Sequence, residues 1–182
     1  YDLFHLDVPT LNVFIEDARW GLNHSEARYD IISIDAYKPP YIPWHLTTQE
    51  FFQETYDHLS EDGTLVINVA RILDNRNLVN SLYTTIHSVY PSVYIVDIPS
   101  TLNSMIFATR QPTQADNLIA NYIPLSEDSN TPNLLLSSME TAILNIQPEP
   151  ESGTLFTDDK APVEWITNAM IMEVFKIGRA HV

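Results

Sequence analysis

The sequence of 182 residues contains no cysteine. It can therefore form no disulfide, thiolate nucleophile, zinc–thiolate site or iron–sulfur cluster, and a reducing cytosolic setting is permitted. Long apolar runs are also missing, since no stretch reaches the roughly 18 to 20 consecutive apolar residues of a membrane span, and no basic-then-apolar signal sequence opens the chain. We therefore expect a cytoplasmic protein whose segment here makes no direct contact with a membrane.

Glycine and positive charge are both scarce. The glycines are Gly21, Gly63, Gly153 and Gly178, and their wide spacing excludes a phosphate-cradling or nucleotide-binding glycine loop from these residues. Nine lysine and arginine residues face 24 aspartate and glutamate residues, which gives a net charge of -15. This charge repels phosphate backbones and anionic headgroups, so we predict no nucleic-acid partner and favour a cationic ligand.

Two common kinds of catalytic site find no support in the sequence. The six histidines include neither a His-Glu-x-x-His motif nor another close pair of ligands, so we predict no metal site. The sequence has no Gly-x-Ser-x-Gly motif, and Ser33 lies between isoleucines inside a predicted strand, which argues against a serine hydrolase.

Strand and helix patterns alternate along the first 110 residues. The predicted strands are 13–16, 29–35, 64–69, 93–98 and 104–109, the predicted helices are 47–59 and 74–90, and a turn is predicted at 61–63. The first two strands read as buried and parallel, and the last two are close enough to form a hairpin. The order predicts an α/β fold with right-handed crossovers and a mainly parallel sheet that ends in an antiparallel hairpin, as methyltransferase-like sheets do.

The remaining residues divide into a helical tail and a short end segment. We predict helices at 113–122, 132–146 and 162–175 with a linker at 147–153, so that residues 111–176 form a helical tail packed on the domain of residues 1–110. Residues 177–182 read IGRAHV, which resembles a reading frame of a common sequencing adapter; the alternative is a helix C-cap at Gly178. The chain opens on Tyr1 and leads straight into an apolar segment, so we expect further sequence upstream.

Two acids follow the first two predicted strands. Asp17 and Asp35 would both lie beyond the carboxyl ends of strands, where open α/β sheets bind their ligands. The alternative for each acid is that it only ends its strand or begins a turn.

The motifs around these acids resemble those of the polyamine aminopropyltransferase family. The matching motifs, in order, are Asp17-Ala18-Arg19, the run Tyr29-Asp30-Ile31-Ile32 with Asp35, then Leu46, Phe51, Phe52 and the stretch 63–68. The resemblance implies a Rossmann-like S-adenosylmethionine-dependent methyltransferase fold, present here from its third strand onward, and decarboxylated S-adenosylmethionine as cosubstrate. It also implies that Asp17 and Ala18 contact the adenine and that Asp35 is catalytic.

Loop residues after Asp35 match further positions of this family. Ile42, Pro43 and Leu46 correspond to residues that line the adenine side, although apolar loop residues also anchor loops. Tyr37 and Trp44 could hold a cation or stack on adenine, or could simply pack as a lid. Lys38 replaces the second acid of the family's Asp-Ser-Ser-Asp-Pro signature, so it either repels a diamine or turns into solvent.

The loop motif within residues 35–46 and the acidic stretch 157–164 resemble those of a subgroup whose members are fused to membrane segments. Asp158 and Asp159 suit an amine site, and the alternative is that they cap the following helix. This resemblance implies that an upstream segment can tether the protein to the cytoplasmic face of a membrane. The oligomeric state stays open, with a homodimer among the alternatives.

Aminopropyl transfer explains why carboxylates are needed. The acceptor is a small-molecule amine with a pKa near ~10.4, so removing its proton at neutral pH costs roughly 4 to 5 kcal/mol. A positioned aspartate such as Asp35 can accept that proton. The alternatives are an S-adenosylmethionine-dependent methyltransferase and a catalytically inactive domain that binds nucleosides or polyamines, and these residues alone are expected to be inactive because the glycine loop is missing.

Overall fold

A computed structural model of the chain describes residues 8–72 and 75–179. The strands within these ranges are β1 (Tyr29–Ile34), β2 (Leu59–Ala70), β3 (Ser92–Asp97) and β4 (Asn103–Thr109). The helices are α1 (Ala18–Asn23), α2 (Gln49–His58), α3 (Asn77–His87), α4 (Asp116–Glu127), α5 (Asn133–Asn145) and α6 (Val163–Arg179), and a 3₁₀ turn covers Trp44–Leu46. The predictions for Tyr1, for residue 74 and for residues 180–182 lie outside the described residues.

The four strands form one mixed sheet in the order β1-β2-β4-β3. β1 and β2 are parallel, and α2 lies between them in the sequence as the crossover helix. β4 is antiparallel to both β2 and β3, so the predicted hairpin is confirmed and the described part of the sheet has one parallel pair. The α/β class agrees with the sequence prediction, and the described sheet is mixed, because two of its three strand pairs are antiparallel.

β2 carries the centre of the core. Its side chains alternate, and Leu65, Ile67 and Val69 are fully buried, as the period of two in a strand requires. α2 packs on the sheet through Phe51 and Phe52, which are two of the apolar residues near helical spacing from which the helix was predicted. Thr48 caps this helix, because the Phe51 main-chain N–H donates to the Thr48 hydroxyl at 3.3 Å.

The prediction of a strand at 13–16 was wrong. These residues are described but form no regular strand, and Phe14 and Ile15 are 76% and 91% exposed. A short apolar run needs a neighbouring strand to supply ladder hydrogen bonds, and none of the described strands pairs with it. At the same side of the molecule β1 forms an edge of the described sheet, and its Ile31 is 67% exposed.

The predicted turn at 61–63 was also wrong. These residues lie inside β2, where the register with β1 is irregular: Tyr29 faces Leu59 but Ile31 faces Thr64. Two steps along β1 therefore match five along β2. A bulge in β2 accommodates the extra residues. Their residue types are typical of turns, which is why the sequence predicted a turn here.

The tail beyond residue 110 forms the three helices predicted for it. The predicted linker at 147–153 does not lie free, because the Gln147 N–H donates to the Ile95 carbonyl at 2.8 Å and the Thr154 N–H donates to the Ser81 hydroxyl at 3.2 Å. Of the helices in the described ranges, none combines the length and the apolar character needed to cross a bilayer.

Gly153 lies directly against α3, so we expect Gly153→Ala to lower the free energy of unfolding by about 1 to 3 kcal/mol. An added Cβ would collide with the Asn80 carbonyl and the Thr84 hydroxyl, and main-chain atoms of a helix cannot move aside easily. Urea unfolding of the protein that carries this chain measures the change. The matched control is Gly21→Ala, where the Cβ meets only the flexible Glu16 side chain; equal losses in the two variants would contradict the close packing of Gly153.

Candidate active site

Three of the predicted site residues line one cavity of about 420 Å³. Ala18 contributes the first turn of α1, Asp35 follows β1, and Leu46 ends the 3₁₀ turn. The other residues that line this cavity are Leu22, Ile32, Ser33, Ile34, Ala36 and Phe51. The cavity lies beyond the carboxyl end of β1, as the rule for open α/β sheets requires, and we refer to it as the Asp35 cavity.

Asp35 is exposed and holds one hydrogen bond from a neighbouring strand. The Asn68 amide Nδ2 donates to its Oδ1 at 3.0 Å. Among the described residues the second carboxylate oxygen, Oδ2, has no hydrogen-bond partner. An acid in a cavity wall, with one oxygen anchored and the other without a partner among the described residues, is suited to accept a proton from a bound molecule.

Asp17 lies at the N-terminus of α1, where it caps the helix. Its Oδ1 accepts from the Trp20 main-chain N–H at 3.0 Å, and its Oδ2 pairs with His45 Nε2 at 2.8 Å. The bond from the Trp20 N–H, helped by His45, holds the pKa of Asp17 below its ordinary value. Asp17 therefore begins a helix and does not end a strand. Its predicted contact with adenine stays a prediction.

The apolar loop residues separate into two groups. Ile42 and Leu46 are 2% and 3% exposed and belong to the core, although Leu46 also lines the Asp35 cavity. Pro43 is half-buried and begins the 3₁₀ turn. Among the described cavities Ile42 lines none, so its surroundings favour the loop-anchoring alternative.

Tyr37 fastens the loop after β1 to the end of β2. Its hydroxyl donates to the Asn68 carbonyl at 3.0 Å and accepts from the Ala70 N–H at 3.0 Å. Burial raises the pKa of Tyr37, the Ala70 N–H opposes this, and the charge of Asp35 adds to the rise. The hydroxyl is thus engaged in the protein, and contact of the ring with a ligand stays a prediction.

Lys38 lies on the outside of the same loop. Its main-chain N–H and carbonyl bond to those of Tyr41 at 2.8 and 2.9 Å, and its side chain is exposed. Lys38 is absent from the residues that line the Asp35 cavity. This position favours the alternative in which the lysine turns into solvent.

Trp44, Asp158 and Asp159 line a second and more open cavity of about 540 Å³, together with Glu164 and Trp165. Trp44 is 46% exposed. The structure therefore brings Trp44 together with the two predicted acids, in a cavity whose lining includes neither Tyr37 nor Asp35.

Arg19 joins Asp158 to α2. The Arg19 guanidinium donates to both oxygens of Glu54, at 2.7 and 2.8 Å, and to both oxygens of Asp158, at 2.8 and 2.9 Å. The Thr48 hydroxyl also donates to Asp158 at 2.7 Å. These bonds, Arg19 first, hold the pKa of Asp158 below its ordinary value. Asp158 is thus held by a cation of the chain itself, although both it and Asp159 are exposed.

Sequence reasoning missed two residues of this region, Asn68 and the ion-pairing role of Arg19. Asn68 could have been found, because it lies near the carboxyl end of the predicted strand 64–69, beside the strand that ends in Asp35. Arg19 could not, since its partners are 35 and 139 positions away. In residues 8–72 and 75–179 no three acidic or histidine side chains come together as a metal site.

More than half of the chain matches a known protein family. Residues 4–120 match the family described as the spermine/spermidine synthase domain. A probable polyamine aminopropyl transferase of Bifidobacterium longum is 29% identical over 171 residues, which cover 87% of this chain and 38% of the relative. A polyamine aminopropyltransferase of Vibrio vulnificus is 33% identical over 131 residues, which cover 72% of this chain and 40% of the relative.

Comparison with solved structures agrees with this family match. The crystal structure of spermidine synthase from Thermotoga maritima aligns with a TM-score of 0.52 at 25% identity, over 61% of this chain and 39% of that chain. The chain thus spans about two fifths of the length of the curated relatives it matches.

Proposed function

The chain belongs to the spermine/spermidine synthase family, and from this premise we propose that the protein carrying it transfers an aminopropyl group from decarboxylated S-adenosylmethionine to a small amine. The observation that supports this most is the pair Ala18 and Asp35 in one cavity. The resemblance of the surrounding motifs implies that these residues correspond to the family's adenine-side and catalytic positions. The cavity also lies at the ligand-binding edge of the sheet.

Asp35 is proposed as the general base. The free amine attacks the carbon next to the sulfonium, the new C–N bond forms as the C–S bond breaks, and the bonding pair returns to sulfur to leave a neutral thioether. The proton lost by the amine passes to the open Oδ2 of Asp35. An aspartate fixed by Asn68 combines proton acceptance with positioning of the nitrogen lone pair.

Asp17 and the apolar residues Ile42, Pro43 and Leu46 are proposed for the nucleoside side of the site, and Tyr37, Trp44 and Asp159 for the amine. Asp158 is proposed to contribute to the amine side of the site through its ion pair with Arg19. We infer that the chain is part of a longer protein, because it spans only about two fifths of its relatives and its four glycines form no cosubstrate loop. Tethering of that protein to a membrane stays a prediction.

The test compares two cosubstrates with the protein that carries this chain. Incubation with decarboxylated S-adenosylmethionine and putrescine, cadaverine or spermidine should give the aminopropylated amine and the thioether nucleoside in equal amounts. S-adenosylmethionine itself should give no methylated amine. Methyl transfer in the second reaction would establish the methyltransferase alternative, whereas amine binding without either product would establish a binding domain.

Lys38→Asp should improve kcat/KM for putrescine by less than about tenfold, because the exposed side chain of Lys38 is screened by solvent. A lysine facing a bound diamine at about 6 Å would instead cost about a hundredfold in affinity at an effective dielectric near 20. Steady-state kinetics measure the difference. Arg28→Asp, at the opposite end of β1, makes the same change in net charge and serves as control; a hundredfold gain confined to Lys38→Asp would show that Lys38 faces the amine.

A further inference from the structure

Asn68 is brought to Asp35 by the register of the sheet. β1 and β2 run parallel with Ile34 opposite Ile67, so the next residue of each chain segment, Asp35 and Asn68, lies side by side at the same edge. The resulting hydrogen bond from Nδ2 to Oδ1 is 3.0 Å long. Because an ionised carboxylate can only accept, the atom of Asn68 that faces Asp35 has to be its amide nitrogen.

The main chain of Asn68 is held as well. Tyr37 donates its hydroxyl to the Asn68 carbonyl and accepts from the Ala70 N–H, so one side chain spans two positions of β2. Burial raises the pKa of Tyr37 further above its ordinary value, which is consistent with a hydroxyl that donates to the Asn68 carbonyl. Asn68 therefore reaches Asp35 from a strand end that the loop after β1 holds in place.

The other end of the Asn68 side chain indicates that the amide is not there for stability. Its Oδ1 is buried and, among the described residues, has no hydrogen-bond partner. A buried acceptor without a partner destabilises the fold, and on β4 the residue opposite is the apolar Met105. An apolar side chain would suit this environment better, so the favourable interaction of the amide is the one with Asp35.

We propose that Asn68 is a positioning residue for Asp35. By holding Oδ1 it fixes the orientation of the carboxylate in the cavity wall, and the inference rests on the function proposed above. A freely rotating Asp35 would turn its free oxygen away from the amine for part of the time. Misplacement of a reacting group by about 1 Å can cost 10²-fold in rate.

The experiment replaces the amide by an apolar group of similar size. Asn68→Leu should lower kcat for aminopropyl transfer by about 10- to 100-fold while the KM for the amine changes little and the melting temperature is unchanged or higher. Asn68→Gln, which keeps an amide donor, should recover most of the lost kcat. Asn103→Leu, the same change at a residue of β4 whose side chain makes no hydrogen bond to Asp35 among the described contacts, should leave kcat unchanged.

A double-mutant cycle separates positioning from a general structural effect. In an Asp35→Asn background, adding Asn68→Leu should lower kcat no further, because Asn68 acts through Asp35. Two results would overturn this inference and leave the proposed function standing. The first is that the losses in kcat of the two single variants multiply in the double variant. The second is a normal kcat in Asn68→Leu while the wild type is active. A wild-type protein that transfers no aminopropyl group to any amine would overturn both.

Discussion

Asp35→Asn is expected to lower kcat for aminopropyl transfer by about 10²- to 10⁴-fold, the range for loss of a general base. The amide keeps the size of the carboxylate but cannot accept the amine's proton. Because Asp35 lies in a cavity wall with one oxygen already bonded to Asn68, the substitution leaves the shape of the site nearly unchanged. Binding of decarboxylated S-adenosylmethionine, measured by calorimetry, should therefore change much less than kcat.

The matched control is Asp30→Asn, the same substitution at the other end of β1. Asp30 accepts a hydrogen bond from the Ser60 hydroxyl at 2.7 Å and is absent from the residues that line the Asp35 cavity. Its replacement should leave kcat near the wild-type value. Near-normal turnover in Asp35→Asn would mean that Asp35 only ends its strand and that the base lies elsewhere.

The elements that sequence predicted correctly are those with a strong local signal. α2 follows from apolar residues at helical spacing together with a capping threonine, and β2 to β4 follow from alternating or continuous apolar runs. The position of Asp35 at a strand end followed from the same pattern. Local periodicity and general rules of α/β topology therefore predicted the fold class and the location of Asp35, while its proposed catalytic role came from the resemblance to the family.

The features that sequence did not predict depend on partners far away in the chain. The run 13–16 has the composition of a strand, but a strand also needs a neighbour, and the ladder in the described sheet begins at β1. Arg19 is tied to Asp158 across 139 positions, and the bulge near Gly63 is set by pairing with Tyr29. Contacts of this kind leave no mark in a local window of residues.

Phe156 is the clearest example of such a hidden contact, and Phe156→Ala should lower the free energy of unfolding by about 3 to 5 kcal/mol. The residue lies in an irregular segment without periodicity, yet its side chain is fully buried. Its main-chain N–H donates to the Thr85 hydroxyl of α3 at 3.0 Å, and its carbonyl accepts from the Gln49 N–H at 2.9 Å. Gln49 begins α2, so this carbonyl satisfies one of the N–H groups that a helix leaves free at its start.

The loss arises because the ring fills the space between these helices while its backbone is fixed to both of them. The surrounding atoms cannot collapse into the cavity left by alanine without giving up the bonds to Thr85 and Gln49, so much of the cavity should persist. Urea unfolding of the protein that carries this chain, with the slope of the transition checked for constancy, gives the value. Leu155→Ala is the matched control, since the neighbouring Leu155 is 41% exposed and should lose much less. Phe156→Leu, which keeps most of the apolar volume, should lose about 1 kcal/mol and remains measurable if the alanine variant does not fold. A loss below about 1 kcal/mol in Phe156→Ala would show that the segment carrying Phe156 does not help to hold α2 and α3 together.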